Sequence, residues 1–382
     1  MLSLTELKKY FASKRVFVTG HTGFKGSYLC VLLRCLGAKV YGYSLKPQKG
    51  DLYDILSRDI KTAKSSKSGI LNNKKLVDAE VFADIRNLKK LTHFIKKVKP
   101  DYVIHMAAQP LVLKGYEEPH YTYEVNVMGT VNILEAIKNS VDANKKQKPI
   151  SILNVTTDKV YENNDLSNYA FKENDKLCGR DPYANSKSCS ELVTYAYAKS
   201  FFADKNLYRI STARAGNVIG GGDLNENRII PDCYRAIRDK KEMVIRNKKS
   251  IRPYQYVLEP LILYLNILAY QLTNKKYEGN YNIGPDKKNC LTTEVLTNKF
   301  FKEWEKLEVT DTKIKSDTLD KTAKKHEAKF LRLDNSFIKN KFKYKEIFNI
   351  DKTMQFTTKV YYDMKVHNDI YDSIVEIIKT IT

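Results

Sequence analysis

The sequence predicts an α/β chain: a doubly wound parallel sheet covered by helices, with a smaller C-terminal lobe. Two observations carry this. Through the first half, short β-rich runs alternate with longer helical patterns, as in a parallel sheet whose crossovers are helices. The first run, RVFVTG, passes directly into a glycine-rich turn, GHTGFKGS, and then into an apolar helical pattern. After about residue 215 the alternation decays. We therefore expect residues 1–213 to form the larger lobe and 214–382 mainly the smaller one, with the chain crossing between them. A length of 382 residues is long for one compact core and suits two lobes sharing one site.

The elements follow in order. RVFVTG (15–20) reads as the first strand, and SYLCVLLRCLGA (27–38) as an apolar helix ending near Gly37. KVYGYSL (39–45) is a second strand, and a short third one lies around Val81 to Asp84. NLKKLTHFIKKVK (87–99) has the period of an amphipathic helix, and DYVIHMAA (101–108) reads as a fourth strand. Residues 121–140 carry a helical period, and SILNVTT (151–157) is a fifth strand. Pro182 opens a helix that runs to about Phe202. YRISTARAGNV (208–218) is a further strand with its exit loop. GGGD (220–223) is a loop, PDCYRAIRDKK (231–241) a helix, and 258–273 a strongly apolar helix. Residues 61–76, rich in Lys, Ser and Asn, read as an exposed loop or insertion.

Composition narrows the function. Hydrophobic residues make up 42% of the chain, yet no apolar run approaches the ~18 residues of a membrane span. The N-terminal MLSLTELKKYFASKRV lacks a signal-peptide layout and reads as a short amphipathic helix, which points to the cytoplasm. The six cysteines form no CxxC and no Cys/His cluster; Cys30 and Cys35 fit core thiols, and no metal site is expected. A net charge of +22 invites a nucleic-acid reading. The lysines, however, are spread in twos and threes without interleaved aromatics, so no nucleic-acid partner is expected.

Gly20, Gly23 and Gly26 stand in GxxGxxG spacing between a strand and a helix. Such a turn lets backbone approach a pyrophosphate, and the helix N-terminus adds N–H donors. This makes the first half a Rossmann-type dinucleotide fold. The acidic ribose clamp usual at the second strand's end is missing: KVYGYSLKP offers Ser44 and Lys46, which by charge alone weakens NAD against NADP. Asp84 ends the third strand where it could meet an adenine edge, and HMAAQP places small residues at the fourth strand's tip.

Tyr183 and Lys187 are four apart on a predicted helix and share a face. A tyrosine phenol, with an ordinary pKa of about 10, becomes a base near neutrality only beside a cation. TTDKVY (156–161) then puts a hydroxyl, an acid and an amine on Thr157, Asp158 and Lys159, at the tip of the fifth strand.

TGHTGFKG, HMAAQPLV, NVMGT, VTTDKVYEN, DPYANSK, ARAGNVIGGGD, IIPD and RPYQYVLEP together resemble the extended short-chain dehydrogenase/reductase superfamily, and within it the CDP-glucose 4,6-dehydratases. The resemblance runs from about residue 14 to about 290. It implies NAD as cofactor, despite Lys46, and a nucleotide-sugar substrate. The implied cofactor contacts are Gly20, Gly23, Phe24, Lys25, Gly26, Ser44, Asp84, Ile85, Ala107, Ala108 and Gln109, with Tyr183 and Lys187. In the implied reaction Tyr183 takes the 4-hydroxyl proton while hydride leaves C4, water is lost across C5–C6, and hydride returns to C6. Asp158 would be the acid and Lys159 the base of the elimination, with Thr157 bonding the 4-hydroxyl. Asn217, Arg228 and Arg252 would hold the nucleotide diphosphate. Related dTDP-sugar dehydratases carry Glu at the position of Lys159.

The chain departs from the family pattern at Leu113, Lys114 and Gly115, and at Tyr254 and Tyr256, where Trp and His are frequent. These departures are expected to lie near the sugar nucleotide. A sugar-nucleotide epimerase or reductase is the alternative enzyme; it would leave Asp158 and Lys159 without a chemical role. A cofactor-bound regulatory or RNA-associated protein is the non-enzymatic one. The resemblance also implies a homodimer through helices near 121–140 and 186–202, with Tyr195, Tyr197, Phe201 and Phe202 suited either to that seam or to the protein's own sheet.

Overall fold

The computed structural model describes residues 1–62, 75–141, 148–164, 169–203, 207–245, 247–310, 312, 314–316 and 330–381. Most of the expected insertion at 61–76 lies outside the described residues.

Ser3 caps α1 (Leu4–Phe11), its hydroxyl and the Glu6 carboxylate forming a capping box. β1 (Arg15–Thr19) leads through the glycine turn into α2 (Phe24–Cys35), then β2 (Lys39–Ser44), α3 (Leu52–Thr62), β3 (Ala79–Phe82), α4 (Leu88–Val98) and β4 (Tyr102–His105). Two short helices follow, α5 (Val112–Glu117) and α6 (Pro119–Tyr123), then a π turn at Glu124–Met128 and α7 (Gly129–Lys138). β5 (Ile150–Thr157) precedes α8 (Pro182–Ser200), β6 (Tyr208–Ala215) and β7 (Asn217–Ile219). The remainder is α9 (Ile229–Arg238), β8 (Met243–Ile245), β9 (Ile251–Tyr256), α10 (Leu258–Thr273), β10 (Asn280–Ile283), β11 (Cys290–Thr292), α11 (Thr293–Trp304), β12 (Ile314–Ser316), α12 (Ser336–Phe342), α13 (Ile350–Lys365) and α14 (Ile370–Lys379).

Seven strands form one sheet in the order β10-β6-β5-β4-β1-β2-β3, every neighbouring pair parallel. This is the Rossmann-type doubly wound sheet the sequence predicts. Period-two alternation divides its side chains between two cores. Val16, Val18, Ile104 and Leu153 face α2, α10 and α14, while Phe17, Val103 and Ile152 face α4, α7 and α8. Several elements from beyond residue 214 belong to this unit: β10 pairs with β6, α10 packs on β5 and β6, α12 packs on β10, and α14 packs on α2 and α3. A third core, with Trp304 at its centre, joins α9, α11 and α13. A small sheet in the order β11-β9-β7 lies beside it in sequence and carries Asn217 and Arg252.

The helical period at 121–140 is broken by the π turn. That turn presents Asn126, whose Oδ1 accepts from Gln109 N at 2.8 Å and whose Nδ2 donates to Ser186 Oγ at 2.9 Å. One residue thus joins the loop after β4 to the second turn of α8, the kind of re-aiming that π bulges provide. Of the four aromatics on the 186–202 segment, Phe202 is buried against Tyr208, Tyr197 bonds Glu135, and Tyr195 and Phe201 are exposed.

Candidate active site

β1 neighbours both β2 and β4, so the strand order reverses there and a crevice opens at the strands' C-terminal ends. Gly20, Gly23 and the first turn of α2 form one wall. Gly20 has φ +74, and a Cβ on it would lie 2.8 Å from Ala107 N. The glycine turn therefore rests directly on the tip of β4. Gly26 is as tight, since a Cβ there would come within 2.2 Å of Gly20 O. Gly23, the N-cap of α2, supplies no side-chain cap to the first-turn N–H groups, and no acidic residue sits in that turn. Small residues, close backbone approach and an uncapped helix end suit a dinucleotide diphosphate. Gly20→Ala should cost about 1–3 kcal/mol through the left-handed backbone alone and weaken dinucleotide binding, as melting curves and a cofactor titration would show.

The remaining predicted cofactor residues are placed around this crevice. Ser44 hydrogen-bonds Thr22 Oγ1 at 2.8 Å at the end of β2. Asp84 is engaged by Arg86, which also bridges to Glu124. These residues line an open depression of about 530 Å³ together with Asn87 and Leu88. Ile85 is buried against Gly129. Gln109 is turned inward: its amide donates to Thr122 and the Leu111 carbonyl and accepts from Leu111 N, so its side chain shapes the loop.

The catalytic candidates converge at the tip of β5. A 3₁₀ turn, Asp158–Val160, begins there, and Thr157 Oγ1 caps it by accepting from Lys159 N. Thr157 Oγ1 also bonds Asp158 Oδ1 at 3.0 Å, and Lys159 Nζ reaches the same oxygen at 3.3 Å. Asp158 is only 1% exposed, and its Oδ2 has no hydrogen-bond partner in the protein. That oxygen faces Gly216, where a Cβ would sit 3.4 Å away. A buried, unmatched carboxylate oxygen is uncommon and suits a group that meets a ligand.

Asp181 caps α8 by accepting from Ala184 N, Pro182 opens the helix, and Gly115 leaves room for the Tyr183 backbone. The Tyr183 phenol hydrogen-bonds Thr157; burial pushes it up to about 12, Asp158 adds to the rise, and Thr157 and Arg228 oppose it. One turn on, Lys187 Nζ donates to the Val155 carbonyl at 3.2 Å. Burial, helped by the neighbouring charge of Lys25, brings Lys187 down to about 7, with Glu191 resisting. Burial and Arg228 likewise bring Lys25 down to about 8, against the pull of Asp158. Lys25, expected only on the cofactor side, thus lies within electrostatic reach of the acid. His105, buried at the tip of β4 and held by Thr19, is driven down to about 3 by burial and Lys187, so it is neutral.

On the substrate side, Asp223 is buried and holds Arg228 at 3.0 Å. Arg252 is buried in β9, and Asn217 pairs with Tyr254 across β7 and β9. Tyr254 and Tyr256 are both buried. Tyr256 is fully buried among Tyr28, Phe348 and Phe356, and Tyr254 is buried in the α9–α11–α13 core. Both stand on β9, the strand that also carries Arg252. Sequence reasoning also missed Asp223, His105, Glu191 and Arg214; only Glu191 had a legible signal, lying four residues beyond Lys187 on the same helix. Among the described residues no cluster could hold a metal ion, and no helix is long and apolar enough to cross a membrane.

Residues 17–357 match the family model described as GDP-mannose 4,6 dehydratase. The chain is 40% identical over 336 residues to a CDP-glucose 4,6-dehydratase of Salmonella typhimurium, covering 86% of this chain and 85% of that protein. A dTDP-glucose 4,6-dehydratase of Streptomyces venezuelae, solved with NAD bound, superposes with a TM-score of 0.70 at 19% identity, over 93% of this chain and 98% of that one. A UDP-glucose 4-epimerase of Thermus thermophilus, solved with NAD, gives 0.68 at 19% identity, over 91% and 99%. Backbone likeness is shared by lyases and epimerases, so the side chains must separate them.

Proposed function

The chain belongs to the GDP-mannose 4,6 dehydratase family, and from that premise we propose that it removes water from CDP-glucose to give the 4-keto-6-deoxy sugar nucleotide. NAD, when bound in the crevice, supplies the redox chemistry by accepting hydride from C4 and returning it to C6. Gly20, Gly23, Gly26 and the head of α2 would hold its diphosphate, with Phe24, Lys25, Ser44, Asp84, Ile85, Ala107 and Ala108 around it.

The protein's own groups do the proton work. Tyr183 takes the proton of the 4-hydroxyl, oriented by Thr157, with the Lys187 ammonium one turn away favouring the phenolate. A keto group at C4 makes the C5 hydrogen acidic. Elimination then needs a base at C5 and an acid at the leaving C6 hydroxyl. One proton passed across the 3.3 Å contact from Lys159 Nζ to Asp158 Oδ1 leaves a neutral amine and a protonated carboxyl, which is that pair. Arg228, held by Asp223, with Arg252 and Asn217, would receive the nucleotide diphosphate.

The observation that carries this reading is the acid–base pair at the tip of β5 beside Tyr183 and Lys187. An epimerase or reductase needs no such pair. Support for CDP-glucose in particular comes from the Salmonella relative. The six cysteines are all free thiols, which fits a reducing compartment, and we place the protein in the cytoplasm. Met128, Leu192 and Tyr195 are exposed on the α7–α8 side, Leu192 by 55% and Tyr195 by 62%, and offer an apolar seam for a homodimer.

Purified protein incubated with CDP-, dTDP-, UDP- and GDP-linked hexoses should yield a product lighter by one water from CDP-glucose, read by mass spectrometry. Water loss from another nucleotide sugar would move the substrate and keep the chemistry. No water loss from any of them would return the site to the epimerase or reductase reading.

A further inference from the structure

Three successive turns of α8 meet three successive residues of β5. Tyr183 hydrogen-bonds Thr157, Lys187 donates to the Val155 carbonyl, and Glu191 accepts from Thr156 Oγ1 at 2.5 Å. The Glu191 side chain is 3% exposed; its other oxygen accepts from Thr212 Oγ1 at 2.7 Å and from Arg214 Nη2 at 3.0 Å. Arg214, 1% exposed, reaches on to Tyr161 Oη at 2.8 Å, and Tyr161 donates to Asn282 Oδ1 at 2.6 Å. One carboxylate therefore ties α8 to β5, to β6 and to the residue that ends the Asp158–Val160 turn. Thr156 and Tyr161 bracket Thr157, Asp158 and Lys159 from either side.

A buried ion pair is weak evidence of a stability device, because apolar residues of similar volume often serve as well. This pair sits where strand tip, catalytic turn and catalytic helix join. We propose that Glu191, acting through Thr156 and Arg214, is a positioning residue for the catalytic cluster: it fixes the register of α8 against β5 and gives Lys187 its negative neighbour on the same helix. The activity readout rests on the dehydratase reading; the titration below does not.

The charges that act on Lys187 are Lys25 on α2 and Glu191 on its own helix; Arg228 at the head of α9 acts on Lys25, and Arg214 on β6 is paired with Glu191. His105 on β4 is neutral, Tyr183 is a neutral phenol in the ligand-free site, and Asp158 lies after β5. Glu191→Gln removes the anion nearest along the helix and leaves Arg214 uncompensated. Both changes disfavour the ammonium, so Lys187 should lose its proton at lower pH and the alkaline fall of kcat should move the same way.

The test titrates Lys187 by ¹³C NMR on lysine-labelled protein, assigned through Lys187→Arg, with kcat and KM followed over the same pH range. Glu191→Gln should lower the Lys187 midpoint by about one pH unit. It should also cut kcat at the wild-type optimum about 10-fold with KM little changed. Thr156→Val keeps both charges and tests the register alone: kcat should fall about 5-fold with the Lys187 midpoint unmoved. An unmoved midpoint and pH profile in Glu191→Gln, with only a lower melting temperature, would reduce the pair to scaffolding and overturn the proposal. If Glu191→Gln does not fold, wild-type kcat in Thr156→Val overturns it. If the wild type turns over no nucleotide sugar, the dehydratase reading fails and the Lys187 midpoint decides the proposal by itself.

Discussion

Replacing Tyr183 with Phe should lower kcat for water loss by about 10³-fold and leave the protein folded. The ring is buried, so phenylalanine keeps the packing and only the hydroxyl goes. Losing its bond to Thr157 costs about 1 kcal/mol, a small part of a domain's stability. The catalytic loss is larger because, in the proposed mechanism, Asp158 and Lys159 are engaged with each other and serve the elimination, so neither replaces the phenol. A Tyr183 phenol pushed up to about 12 is a poor base until a cation favours its ionised form. Arg228 already opposes the rise, and in the proposed mechanism Lys187, one turn along α8 and itself brought down by burial, supplies the second cation. The two titrations run against each other: rising pH ionises the phenol but discharges an ammonium whose midpoint is about 7. The window in which base and cation coexist is therefore limited, and kcat should fall on the alkaline side as Lys187 loses its proton. Tyr183→Phe should flatten that profile as well as lower it. Water loss followed by mass spectrometry across about pH 6 to 10, with melting curves alongside, checks both features. A variant within 10-fold of wild type would remove Tyr183 from the role of base.

What was legible in the sequence was local. The glycine turn, the Asp181–Pro182 start of α8 and the TTDKVY cluster are each contiguous, so a few side chains reveal a backbone geometry or a chemical grouping. α10 is legible to the residue because a long, mostly apolar run bounded by Asn274 admits little else. α3, α13 and α14 are not legible in the sequence, because packing against α2 and α11 decides them. β10, four residues inside an irregular stretch, reveals nothing of its partner β6, which lies some distance back in the chain. The burial of Tyr254 against α9, α11 and α13, and of Tyr256 against Tyr28, Phe348 and Phe356, is something position along the sequence does not report. The Glu191–Arg214–Tyr161 chain escaped notice for the same reason, because its members come from α8, β6 and the turn after β5.

Replacing Lys159 with Met separates the two halves of the reaction. Methionine matches the length of the stem without a basic nitrogen, so the variant keeps much of the packing and loses the base. It also leaves Asp158 buried without its cation, which should lower the melting temperature. Wild-type product made in D₂O should carry deuterium at C5, because the carbon is deprotonated and later reprotonated by a group that exchanges with solvent. In Lys159→Met, C5 exchange and water loss should both fall by about 10³-fold. Oxidation at C4 should persist, since Tyr183, Thr157 and Lys187 are untouched, and a sugar nucleotide lighter by two hydrogens should appear, up to one equivalent per bound NAD because the hydride has no acceptor at C6. Asp158→Asn should behave differently: the Lys159 ammonium must then give its proton to solvent instead of Oδ1, so C5 exchange survives at a reduced rate, while departure of the C6 hydroxyl, left without its acid, slows further. The contrast matters more than either rate, because a distorted strand tip would depress exchange and elimination together in both variants. Equal C5 deuterium in wild type and Lys159→Met would take the base away from Lys159. It would also leave the Asp158–Lys159 contact as an ion pair that only shapes the turn.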